Sequence, residues 1–364
     1  MNTLGPAVTP RPAGAPPTES ERAAAAELLP MVWGMHISRS VYAVAELGVA
    51  DLLANGPVSS ADLSRATGTH EPSLYRVLRF LAALGVFEER ESRQFALTLL
   101  GDRLRSDAPA GMRSWATFLE VLGGVRTFEH ILDTVRTGKP GFVTVLGTDV
   151  FGFLELHPRE AAVFDAAMSE RTAAFAPSVA QTCGFSEIRT LVDVGGGQGT
   201  LLVEILRRHP HLRGTLLEIP RVAAEAGAVL DAVDVGDRCE VLAGDFFETL
   251  PAGADCYLLA NVLHDWDFAR AVDILANCRR AMTATGRVLI VERLIPDDRS
   301  QAVPALLSDI NMLVITGGQE RTNAEYAGLL EAAGFRVSAV TKVAFPYGVI
   351  EGVPEPERTE PAQS

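Results

Sequence analysis

Long apolar runs, paired cysteines, metal-ligand spacings and basic charge are all scarce in this sequence, and each scarcity removes a class of function. No apolar stretch approaches the ~20 residues needed to cross a bilayer. The opening "MNTLGPAVTPRPAGAPPTES" is rich in proline and has no apolar h-region, so no secretory signal is expected. Cys183, Cys239, Cys256 and Cys278 show no CxxC spacing, which points to reduced thiols in a cytoplasmic protein. No HExxH occurs, and no pair of aspartates suggests a magnesium catechol clamp. His36, His70, His130 and His157 have no metal-ligand spacing and no evident acid partner, so no metal site is expected. The formal net charge is −14, a surface that repels phosphate backbones and argues against nucleic acid as a partner.

What remains is the composition of a soluble globular protein. The 364 residues are 48% hydrophobic and 21% charged, enough for two domains with separate cores. Residues 1–20 and 353–364 read as disordered ends that cannot bury enough surface to offset their ordering cost. Residues 21–107 read as helix, turn near Gly68, helix and a short hairpin, the outline of a winged helix. Such a module either sends its second helix into a DNA groove or serves packing and dimerisation. With Arg76 and Arg79 as that helix's only cations, the second use is favoured. Residues 108–180 read as a helical connector with a helix start at Pro158. Its aromatics are mostly core, but Trp115, Phe118, Phe164 and Met168, with Met312 and Ile315 further on, are candidates for an apolar pocket around a flat ligand. Met168 and Met312 are the better candidates, because thioethers adapt to flat rings.

Residues 181–352 are expected to form the last domain, in which the pattern changes from Arg189 onward. "TLVDV", "GTLLEI", "CEVLAG", "ADCYLLAN" and "GRVLIVE" are β-prone runs, mostly separated by helical stretches, which implies a parallel sheet in a doubly wound Rossmann-like domain. "FRVSAVTKVAF" and "YGVIEGV" would close it, one of them antiparallel. "LVDVGGGQG" is a strand, a glycine loop and a helix start, where free N–H groups meet a ligand. The spacing of Gly195, Gly197 and Gly199, with Thr200 and Leu202 following, tilts away from the dinucleotide fingerprint. Glu218 ends the next strand, where a carboxylate can accept both ribose hydroxyls. In "AGDFF", Asp245 could accept from an adenine amino group and Phe246 could cover the ring. Loop capping is the ordinary alternative for each acid.

"LVDVGGGQG", "LLEIP", "AGDFF", "NVLHDW" and "GGQERT" together resemble the motifs of metal-independent O-methyltransferases that use S-adenosylmethionine, a family of plant caffeic-acid-type and bacterial polyketide enzymes. The resemblance runs from about Leu28 to Glu351. It implies a winged-helix dimerisation module, a homodimer, and S-adenosylmethionine leaving as S-adenosylhomocysteine. Donor contacts would come from Asp193, Gly195, Gly197, Glu218, Gly244, Asp245, Phe246, Asn261 and Trp266. The lysine that plant relatives carry before the base is Ala260 here, so no role passes to it.

The resemblance also implies that His264 is the catalytic base, flanked by Glu292 and Glu320, with Asp265 near the acceptor or the methionine portion of the donor. A phenol of pKa near ~10 is a poor nucleophile until a neutral imidazole near ~6.5 takes its proton. Without that context, His264 would read as a helix-start residue capped by Asp265 or Asp267. His209 and His211 read as solvated. The expected function is methylation of a phenolic hydroxyl on an aromatic natural product. Two alternatives are use of the donor without methyl transfer and, more distantly, transcriptional regulation.

Overall fold

The computed structural model describes residues 16–108 and 111–355. Residues 1–15 of the lead-in and 356–364 of the tail, both read as disordered, lie outside the described residues. Where the ends are described they are more regular than the sequence suggested. Thr18 and Glu21 form a reciprocal capping box that starts a helix at Glu19, and Val353 and Pro354 belong to a strand.

The chain divides into two compact units, Met1–Leu119 and Glu120–Ser364. In the first, helices α1 (Glu19–Val32) and α2 (Gly34–Glu46) precede strand β1 (Val58–Ser59), α3 (Ser60–Thr67), α4 (Glu71–Ala83), β2 (Phe87–Arg90) and β3 (Gln94–Leu97). Gly68 turns the chain between α3 and α4 with φ +64°, a left-handed conformation that glycine adopts without steric cost. β2 and β3 are the expected hairpin, and β1 adds a third antiparallel strand. At two residues, β1 is too short to leave an alternating pattern. Leu63, Leu74, Leu78, Leu81, Phe87 and Phe95 form the core. α1 buries none of its residues, and Leu28, Leu29, Met31 and Val32 are all exposed on it.

The second unit begins with short helices and the long α5 (Pro158–Thr182), opened by Pro158 in its first turn. Its main sheet contains β4 (Thr190–Val194), β5 (Arg213–Glu218), β6 (Cys239–Ala243), β7 (Cys256–Ala260), β8 (Arg287–Ile295), β10 (Phe335–Lys342) and β11 (Tyr347–Pro354), in the order β10-β11-β8-β7-β4-β5-β6. The short β9 (Arg321–Thr322) pairs with β8 off this path. β11 runs antiparallel to both β8 and β10, the single reversal that the sequence suggested. Helices α6 (Thr200–Arg208), α7 (Pro220–Asp231), α8 (Phe268–Ala281), α9 (Val303–Ile315) and α10 (Asn323–Ala332) connect the strands.

Both sheet faces are buried, as a parallel sheet requires. Leu191, Leu216, Leu258 and Leu289 point to one face and pack with α5 and α6 residues such as Val179 and Leu202. Their neighbours Val192, Leu217, Leu259 and Ile290 point to the other, against Ile274 and Leu329. This period of two along each strand fixes the register. Strand order reverses between β4 and β7, and at such a switch point the loops leave the carboxyl edge in opposite directions and open a crevice. The glycine loop follows β4, and "NVLHDW" follows β7.

Leu258 is fully buried in the middle of this sheet. Leu258→Ala is expected to cost about 2–5 kcal/mol through lost contacts and an unfilled cavity. Leu156→Ala, at a site 74% exposed, should lie within about 0.5 kcal/mol of the parent. Urea denaturation of both variants checks this.

Candidate active site

At the carboxyl edge β7 is followed by Asn261, whose φ of +55° turns the chain out of the strand while its N–H still bonds the Val291 carbonyl. Asparagine is among the few residues other than glycine that visit this region readily. A single 3₁₀ turn, Leu263–Asp265, follows, and Asp267 then caps α8 by accepting from the Arg270 N–H. The cap is therefore Asp267, while His264 sits in the turn before the helix.

Two buried charges hold this turn by its backbone. Glu292, fully buried on β8, accepts from the N–H groups of Val262, Leu263 and His264 at 3.1, 3.0 and 3.3 Å on Oε1. Arg321, 1% exposed on β9, donates to the carbonyls of Leu263 and Trp266, each at 2.8 Å. The Gln319 N–H supplies the His264 carbonyl at 2.8 Å. The backbone at Gly318 approaches so closely that a Cβ there would lie 2.0 Å from that same carbonyl oxygen. "GGQERT" is thus the floor under "LHDW".

The imidazole of His264 is 2% exposed. Its Nδ1 lies 2.8 Å from Glu292 Oε2, off the line of a well-directed hydrogen bond, and 3.6 Å from Glu320 Oε1. Its Nε2 faces Asp265 Oδ1 at 3.8 Å. Burial opposes a charge on the ring, but the carboxylates of Glu292, Glu320 and Asp265 outweigh it and push its pKa up to about 9. Burial raises the Asp265 carboxyl to about 6 and raises Glu320 too. Ser308 donates to Glu320 at 2.6 Å, and Arg293 bonds Ser308 at 3.0 Å. A carboxylate beside Nδ1 favours the tautomer with its proton there, leaving the Nε2 lone pair open. The ligand atoms of His264, Glu292 and Glu320 lie within 4.8 Å of one another, a spacing a cation could also use. However, Glu292 already gives one oxygen to three N–H groups and the other to the imidazole.

Across the switch point, Gly195, Gly197 and Gly199 all have positive φ, and nothing lies within 4 Å of a Cβ built on Gly197. Asp193 is fully buried behind the loop, and neither carboxylate oxygen has a hydrogen-bond partner. Burial, then the charge of Glu218, raises its pKa to about 7. Glu218 accepts from the N–H groups of Gly197 at 2.8 Å and Ile219 at 2.9 Å, and burial raises it to about 7. A buried carboxylate without a donor fits a ligand that brings a cationic ammonium group, and open space beside Gly197 fits backbone contact with it. On this observation the residues present fit S-adenosylmethionine.

Gly244 follows β6, with its N–H bonded to the Glu218 carbonyl at 2.9 Å. Asp245 is exposed, and its Oδ1 caps the Phe247 N–H at 2.8 Å. Trp266 stacks on Phe151 at 5.8 Å and meets Phe246 and Phe247 edge-on at 6.1 and 4.7 Å. Arg270 lies 3.5 Å over the Phe247 ring. Met312 is 7% exposed on α9, while Phe164 and Met168 are half-buried on α5. Trp115 belongs to the first unit, where it packs 4.7 Å from Phe118.

Sequence reasoning missed Arg321, Ser308, Arg293 and Phe247, although Arg321 stands next to Glu320 in a motif already singled out. Two histidine expectations need correction. His209 is half-buried and places Nε2 against the Ala180 carbonyl at 2.9 Å, because α5 runs beside it, whereas His211 is exposed as expected, with Nε2 3.1 Å from the Phe185 carbonyl. His130 does have an acid partner, Asp133 at 3.4 Å one turn on.

The model of the O-methyltransferase domain family matches residues 128–336, and that of the O-methyltransferase dimerisation domain matches residues 31–107. The phenazine O-methyltransferase of Lysobacter antibioticus is 41% identical, over 93% of this chain and 99% of its own length. The mitomycin biosynthesis 6-O-methyltransferase of Streptomyces lavendulae is 40% identical, over 88% and 92%. A solved O-methyltransferase from neocarzinostatin biosynthesis, in complex with S-adenosylmethionine and 2-hydroxy-5-methyl naphthoic acid, superposes with a TM-score of 0.78. It is 34% identical and covers 88% of this chain and 96% of its own.

Arg321→Met is expected to leave the part-buried Trp266 carbonyl without its side-chain donor and the Leu263 carbonyl with the Trp266 N–H at 3.3 Å, at a cost of about 1–3 kcal/mol. A fall in the urea midpoint together with a loss of turnover checks this. Turnover at the parent level would show that the turn stands without the guanidinium.

Proposed function

The chain belongs to the family of S-adenosylmethionine-dependent O-methyltransferases, and on that premise we propose that it methylates a phenolic hydroxyl of a flat aromatic natural product with His264 as general base. One observation carries the reading: a buried imidazole whose Nδ1 is held by Glu292 at 2.8 Å, at the carboxyl edge of the sheet. The phenazine and naphthoic-acid chemistry of the relatives supports a flat acceptor. S-adenosylmethionine supplies a methyl group already activated by the positive charge on sulfur. Asp193, Gly195, Gly197, Glu218 and Gly244 would hold it, with Asp245, Phe246, Asn261 and Trp266 around its adenosine. Phe164, Met168 and Met312 are proposed for the acceptor.

In this mechanism His264 Nε2 removes the phenolic proton as the oxygen attacks. Glu292 keeps the opposite nitrogen protonated, and with Glu320 it stabilises the imidazolium that forms. The flanking carboxylates raise the proton affinity of the ring to about 9, close to that of a phenol at ~10, so the transfer is nearly balanced. The ring, with a sulfonium bound in the same site, holds its proton less tightly than it does alone.

The proposed assembly is a homodimer through the first unit. α1 buries no residue of its own chain, and an isolated helix of this length is marginal in water. The proposed location is cytoplasmic. All four cysteines are free, and among the described residues no helix is long and apolar enough to cross a membrane. The charge of −14 supports the absence of a nucleic-acid partner.

His264→Ala should cut turnover by about 10²–10⁴-fold while calorimetric affinity for the donor stays near that of the parent; undiminished turnover would remove the base. The neutral ring is the active form and its pKa is raised, so kcat/KM should climb as pH rises from 6.5 towards about 9. A profile already flat above pH 7 would contradict that sign. Incubation with a chelator should leave turnover of a phenol unchanged, read by mass spectrometry as one added methyl group.

A further inference from the structure

We propose that Asp265 is the route by which the proton of each turnover leaves His264 for solvent. This rests on the reading of His264 as the base. In each cycle the acceptor O–H and sulfur–methyl bonds break, an oxygen–methyl bond forms, the electron pair of the broken bond stays on sulfur, and the proton goes to His264 Nε2. The imidazolium must then give that proton to water before it can act again.

The geometry leaves few exits. The side chain of His264 is 2% exposed, and those of Glu292 and Glu320 are 0% exposed. Asp265 is the carboxylate of this cluster that reaches solvent, at 19%. It also lies on the reactive side of the ring, with Oδ1 3.8 Å from Nε2, a gap that one bridging water or a small side-chain rotation closes. On the other side, Glu292 Oε1 is spent on three N–H groups and Glu320 Oε1 on the Ser308 hydroxyl.

The charged groups facing Asp265 are His264 from its own turn, Glu292 from β8, Glu320 from the segment before β9, and Arg171 from α5. The imidazole holds its proton more tightly than the Asp265 carboxyl does, so the hop is uphill. Proton hops along hydrogen bonds are fast enough to absorb that against a typical turnover of ~10 s⁻¹. A carboxylate that mainly held the acceptor would act on binding and on the methyl-transfer step instead. Kinetics separates the two roles.

The test is rapid-quench kinetics on the full-length protein, with S-adenosylmethionine and the phenol of highest turnover in an acceptor screen. The parent should form product linearly from the first turnover. Asp265→Asn should show a burst of one product per site and then a phase about tenfold slower or more, the contribution expected of a lost proton-transfer group. In Asp265→Ala, added formate should speed the slow phase and leave the burst unaltered, and Asp265→Glu should restore linearity. First and later turnovers slowing together in Asp265→Asn would overturn the exit role, as would no slowing at all or an Asp265→Ala slow phase blind to formate. His264→Gln is measured alongside. If it keeps the first turnover, the base itself is wrong; if it loses it while Asp265→Asn shows no burst, only the exit is wrong.

Discussion

Two buried charges of opposite sign, on adjacent strands, hold one short turn by its main chain. Glu292 gathers the three N–H groups at the start of the turn, and Arg321 gathers two carbonyls across it. Charge-assisted hydrogen bonds to a backbone are stronger than neutral ones, and within a dry protein they tolerate little displacement. Neither charge could be buried without such partners. The clamp therefore explains why an arginine and a glutamate lie inside the sheet edge and why the turn between them has one conformation. It also sets the direction of the His264 ring, since the carboxylate that holds the turn reaches Nδ1 with its second oxygen.

The cofactor side is held less completely. Asp193 is buried with two unpartnered oxygens, a state that costs free energy unless the group takes up a proton or meets a cation. Its raised pKa is the first solution, and a ligand ammonium would be the second. Glu218 turns its carboxylate to the glycine loop and the start of α7, satisfying donors that helix and loop termini leave open. One side of the crevice is thus preorganised, and on the proposed reading the other would be completed by the donor, which suits a site that exchanges its donor after each reaction.

Much of this could be read along the chain because it lies on strand ends. Alternating strands and helices, the glycine loop and an acid one strand later mark a doubly wound sheet, and "NVLHDW" follows an apolar run that can only be a central strand. Neighbouring strands put Glu292 at the same carboxyl edge as His264, but that Glu292 and Glu320 flank the ring came from the resemblance to a family. What stayed hidden depends on contacts far apart in sequence. Nothing near Arg321 shows that its guanidinium crosses 58 positions to the Leu263 carbonyl. Nothing near Glu292 shows that its main service is to backbone N–H groups. The grouping of Phe151, Phe246, Phe247 and Trp266 joins three segments that composition reads only as core. The two-residue β1 and the carbonyls beside His209 and His211 were hidden for the same reason.

The claim on which the account turns is that the clamp makes His264 a ring protonated at Nδ1, open at Nε2, and harder to deprotonate than a free imidazole. Nitrogen-15 NMR of protein labelled at histidine, with the signal assigned by its loss in His264→Gln, reads tautomer and titration together. The account calls for a neutral form carrying its proton on Nδ1 and a midpoint well above 6.5 in the absence of ligands. A ring bearing its proton on Nε2, or one that titrates at or below the ordinary value, would contradict it.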